Sequence, residues 1–166
     1  MSRWIVAGLV FFLIVARVDA QTTKPATTRA VTQEDLERAF AEKLTGATLV
    51  GKFTEERAAR PAPAEPKEDR YTLTKVQRLY GDNWLFRARI QFGDRDVTVP
   101  IILPVKWAGD TPVITVTDAT IPGMGTYTAR VMFYGNEYAG TWSGGNHGGH
   151  MWGKIEPAKA TTQPSK

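Results

Sequence analysis

Cysteine is absent from the 166 residues, which excludes disulfide scaffolds, thiolate metal sites, thiol nucleophiles and lipidated-cysteine anchors together. Histidine occurs only twice, at His147 and His150. No phosphate-cradling glycine loop, EF-hand loop or dinucleotide fingerprint is present. Dense basic patches are missing too. A net charge of +4 spread over the chain suits weak association with a polyanionic surface, and nucleic acid is not an expected partner.

The remaining composition describes one soluble domain. A hydrophobic content of 42%, a charged content of 23% and a mean hydropathy of −0.28 exclude wholesale disorder and a polytopic membrane protein. A chain of this length buries a self-sufficient core without metals or disulfides.

The first twenty residues have the pattern of an export signal. Arg3 precedes the apolar run Trp4 to Val15, and Val18-Asp19-Ala20 gives the small-x-small pattern of a cleavage site after Ala20. At about a dozen residues the run is too short to cross a hydrocarbon core of roughly 30 Å as a helix, so no permanent membrane anchor is expected. The expected destination is the periplasm or the extracellular medium. Residues 21–31, rich in Thr and containing Pro25, read as a flexible tether, and 157–166 as a disordered tail.

Between these ends, residues 32–156 read as a single domain. Thr32 followed by Glu34, Asp35, Leu36, Phe40 and Leu44 predicts a helix of about three turns, capped by Thr32 and ended at Gly46. Its narrow apolar stripe suits a lid on the end of a β domain.

From Ala47 the apolar period becomes two. Trp84, Phe86, Ala88, Ile90 and Phe92 alternate with polar neighbours; so do Val97 to Trp107 on odd positions and Tyr127, Ala129, Val131 and Phe133. Further strands are expected over 47–54, 71–80, 112–118, 137–143 and 150–156, giving eight. Most connections are short, which forces antiparallel neighbours in an up-and-down meander. The fold class is therefore all-β, a small barrel or an open barrel or sandwich, with one N-terminal helix. Pro100 and Pro104 on the outward parity of one strand favour an edge there, and hence the open alternative. The one long connection, 55–70, contains Pro61, Pro63 and Pro66 and reads as an exposed loop.

A helix, a strand containing Gly51-Lys52-Phe53, one long loop and a run of hairpins resembles the calycin architecture of lipocalins, fatty-acid-binding proteins and avidins. Phe53 stands where those families carry tryptophan. The resemblance implies a pocket for a small apolar ligand, opening at the end that bears the 55–70 loop.

Two sets of residues are candidates for function. Trp84 and Phe86 on the inward parity, Tyr138 and Trp142 on one face of a later strand, and Phe53 at the aromatic position of the resemblance are the aromatic candidates for packing and, in a barrel, for lining a pocket. Gly140 between Tyr138 and Trp142 leaves a notch for packing or for a flat ligand. His147 and His150, in the glycine-rich stretch 140–153, offer two imidazoles for a metal if a carboxylate such as Glu137 or Asp118 completes the site; otherwise they stand at the tip of a glycine-rich hairpin. Ser143 lacks the glycine of a nucleophile elbow, and no carboxylate pair stands out among Asp94, Asp96, Asp118 and Glu137.

Three functions follow. The leading one is an exported non-catalytic binder of a small apolar ligand, or of an envelope component, with no cofactor. The alternatives are a metal-binding protein or metal-dependent hydrolase centred on His147 and His150, and a structural or adhesion module of the cell envelope.

Overall fold

The computed structural model describes residues 29–57 and 65–158. The export signal, most of the tether, the centre of the 55–70 loop and the end of the tail lie outside the described residues.

Helix α1 (Gln33–Leu44) starts where the capping residues place it. The Thr32 hydroxyl accepts the Asp35 amide, and the Asp35 carboxylate accepts the Thr32 amide in return. Gly46, at φ 81°, turns the chain into β1 (Thr48–Phe53), after which β2 (Glu56–Arg57) adds one short pairing. The remaining strands are β3 (Lys67–Tyr80), β4 (Asn83–Phe92), β5 (Arg95–Ala108), β6 (Thr111–Ile121), β7 (Gly125–Tyr134), β8 (Glu137–Gly144) and β9 (His147–Glu156). Each pairs antiparallel with the next, and β1 pairs with both β3 and β9, so eight strands close a barrel and β2 extends the rim on β9. The architecture is a closed antiparallel barrel, compatible with a calycin-like one, rather than a sandwich.

Three sequence expectations shift. The charged run Lys67–Arg70 is strand, not loop: Phe53 pairs with Lys67 and Gly51 with Asp69, so β3 starts four residues earlier than its apolar alternation indicates. The glycine-rich hairpin is tighter than expected, with Gly145 and Asn146 as the whole turn and both histidines inside β9. β6 runs on to Ile121 through a bulge at Thr117 and Asp118, where Asp118 has φ 49°.

Closure requires glycine on the β1, β8 and β9 side. A methyl group on Gly51 would overlap the Tyr138 hydroxyl and the Trp152 carbonyl, and one on Gly140 would overlap the β7 backbone at Arg130. These glycines let strands and a large ring approach closely where the sheet bends most sharply.

Pro100 and Pro104 mark a real edge within the closed circle. β5 pairs with β4 along its length from Arg95 to Pro104 but with β6 only over Val105–Ala108. The Val105 amide donates to Asp82 O, on the β4 side, so by alternation the even positions face β6. Both prolines therefore remove donors from the β6-facing edge, and the β6 bulge falls on the other side of the same seam. The Arg95 guanidinium reaches Gly123 O (3.3 Å) at the far end of this seam.

The core concentrates at the end beneath α1. Phe40 is 5% exposed and meets Trp84, Phe86, Trp107 and Phe133 edge-on, at centroid separations of 5.4, 6.5, 5.9 and 5.6 Å. The helix plugs the barrel rather than merely resting on it.

Candidate functional site

Inward-facing side chains differ in burial along the barrel, without a sharp boundary: Ile90, paired with Tyr71 and Val97, is buried, and Leu103 and Trp107 on the helix side are only partly so. In the half beneath α1, Leu49, Leu73, Val76, Trp84, Phe86, Val105, Ile114, Val131, Phe133, Tyr138 and Ile155 are all buried. In the opposite half, Phe53, Tyr71, Val97, Ala119, Ile121, Tyr127, Ala129, Trp142 and Met151 share the inward parity yet keep accessible surface. The end remote from α1, beside the 55–70 connection, thus carries a group of half-buried apolar side chains packed on the core, the candidate lining of an apolar cup.

The aromatic candidates fall in both halves. Phe53 and Trp142 stand together at the cup end (6.0 Å between centroids, 70°), with Tyr127 6.2 Å from Trp142. The Trp142 indole donates to Thr54 O (3.2 Å), which fixes the ring against the end of β1. Trp84 and Phe86 belong to the half beneath α1, against Phe40. Tyr138 lies between, stacked obliquely on Phe133 at 6.3 Å, with its ring edge over Gly153.

At the level of Gly51 lies Asp69, the one buried acid among the described residues, 3% exposed. Its two oxygens accept the hydroxyls of Tyr71 (3.0 Å) and Tyr138 (3.2 Å), and no cation pairs with it. Burial pushes the Asp69 carboxyl above the usual aspartate range, against the pull of the two hydroxyl donors. Burial and the neighbouring Asp69 raise Tyr71 and Tyr138 far above the ordinary phenol range, so both keep their protons. The sequence carried one signal for this cluster: counting back by twos from Leu73 and Tyr71 puts Asp69 on the inward face.

The histidines separate. Three residues apart on a strand of period two, they occupy opposite faces. His147 packs edge-on against Trp142 at 5.3 Å, on the inner rim. His150 is 64% exposed, with Nδ1 3.6 Å from the Glu56 carboxylate and its amide on the Thr54 hydroxyl. Glu137 starts β8 at the α1 end, remote from both, and Asp118 accepts the Thr128 hydroxyl beside the bulge. Among the described residues, no group of three His, Asp or Glu side chains converges.

A second recess, of about 220 Å3, lies outside the plug, between α1 and the rim formed by Trp107, Pro112, Phe133 and Ile155. Lys43 crosses it to bond Gly135 O.

Comparison of the chain with protein-family models, with curated proteins and with solved structures finds no match.

Proposed function

We propose that this protein is an exported, non-catalytic binding protein that holds a small, largely apolar molecule in the half of its barrel remote from α1. The observation that carries the proposal is the group of half-buried aromatic and apolar side chains, Phe53, Tyr127, Trp142 and Met151, on the inward face at the end remote from α1. The calycin resemblance supports the same assignment, and the signal-like pattern of residues 1–20 supports export.

The energetics are those of an apolar cup. Burying about 400 Å2 of apolar ligand surface at about 25 cal/mol per Å2 contributes about 10 kcal/mol, from which the cost of immobilising the ligand is subtracted. Phe53, Trp142 and Tyr127 supply aromatic wall, and Ala119 and Ala129 leave room between them.

Native mass spectrometry of the protein purified gently from its own host, without chelator, tests the assignment. The expected result is a stoichiometric organic adduct that Ala129→Trp, filling the cup, abolishes. Ala119→Leu, a smaller intrusion from the neighbouring strand, is expected to weaken it. A bare polypeptide mass overturns the proposal in favour of a structural or surface-interaction module. A metal adduct lost on His147→Ala overturns it in favour of the metal alternative.

A further inference from the structure

The described tyrosine hydroxyls and the Asp69 carboxyl on the inward face present acceptors. A phenol has one proton to donate, and the three tyrosines have committed theirs: Tyr71 and Tyr138 to Asp69, and Tyr127 to Met124 O (2.9 Å). What these hydroxyls still offer is lone pairs, backed by the lone pairs of Asp69 that the two phenols leave unused. Among the described residues, the cations near the cup stand at its rim. Lys67, on the inward parity, pairs with Glu55 at 2.8 Å and rides 6.0 Å from the Phe53 ring centroid, while Arg95 bonds Gly123 O. His147 is the third titratable group there, against Trp142.

We propose that the cup selects apolar molecules with a hydrogen-bond-donating head group, protonated amines above all, seated on Tyr71 and the Asp69 carboxylate behind it. This rests on the cup being a ligand site and specifies what that ligand is. Folding has already taken the Asp69 carboxyl out of water, so an arriving ammonium group meets a desolvated acid that no cation among the described residues pairs with. An arriving carboxylate meets lone pairs and like charge, which the site rejects. Tyr71 is half-buried where Asp69 and Tyr138 are fully buried, so in this proposal the head group engages the Tyr71 oxygen, which accepts from the ligand while donating to the acid.

Three probes with one chain separate head group from tail: n-octylamine, n-octanol and octanoate, titrated at neutral pH by calorimetry with tryptophan fluorescence as a second readout. The expected order is amine, then alcohol, then carboxylate, with the amine roughly tenfold or more tighter than the alcohol, as for a charge-assisted hydrogen bond. Asp69→Asn is expected to bring the amine-to-alcohol ratio close to one, with an unchanged circular dichroism spectrum showing the barrel intact. Tyr71→Phe is expected to lower the ratio part way. Octanoate binding as tightly as the amine overturns the proposal and places head-group recognition at Lys67 and Arg95; an unchanged ratio in Asp69→Asn also overturns it. Failure of all three probes to bind overturns the ligand cup itself together with its selectivity.

Discussion

Asp69 is a destabilising residue kept in a structural position. A carboxylate at 3% exposure, partnered by two neutral hydroxyls, loses more hydration than those bonds return. Its raised pKa makes that cost measurable. Between its unfolded and folded pKa values the native state holds the Asp69 proton and the unfolded state does not. The Asp69 contribution is therefore fully present below the unfolded value and is lost as pH rises through the folded one. Asp35, Glu55 and Asp96, whose values are lowered by Thr32, Lys67 and Arg89 respectively, act with the opposite sign at exposed sites. Denaturation of wild type and Asp69→Asn across the acid range isolates the term: the stability of wild type relative to the variant should fall as pH rises. A difference that rises with pH instead would show a carboxylate stabilised by its site. The residue escapes sequence reading because Lys67-Glu68-Asp69-Arg70 has the composition of a loop. Only β3's pairing with β1 shows that the alternation of Tyr71 and Leu73 extends back through it.

At the scale of elements, the strands with strict alternation were legible because one face carries apolar side chains throughout; Trp84 to Ile90, buried along that face, is the clearest case. The helix was legible from Thr32, Asp35 and the spacing of Leu36, Phe40 and Leu44, and its narrow stripe understates what it does. One ring, Phe40, meets four other rings, so a single side chain carries most of the plug. Phe40→Ala is expected to cost about 3–5 kcal/mol in chemical denaturation, as for other large aromatic truncations in a packed core. A loss under about 1 kcal/mol would mean that α1 is a removable lid. Strand parity equally governs the histidines, since a three-residue spacing that converges on one face of a helix diverges across a strand.

Closure of the barrel belongs to the whole molecule, and here the sequence was least informative. The β1–β9 pairing joins Thr48–Phe53 to Met151–Glu156 across the length of the domain, and no local pattern announces it. Gly51 opposite Gly153 is its only trace, legible once the pairing is known. The prolines were read correctly as the mark of an edge, yet an edge in a closed barrel takes the form of a seam, between Thr98–Pro104 of β5 and the bulged half of β6. The seam borders the cup, with Val97, Ile101, Ala119 and Ile121 along its inner margins. Amide hydrogen exchange resolves it residue by residue. The Thr98 and Ile102 amides face the seam, whereas those of Val99 and Ile101 face β4, so the first pair should exchange at least about tenfold faster than the second under native conditions. Equal protection of all four would mean that β6 closes against β5 in solution. Fast exchange confined to the even positions would locate the weakest part of the wall beside the accessible half of the barrel, where local opening gives a ligand a second way in through the side.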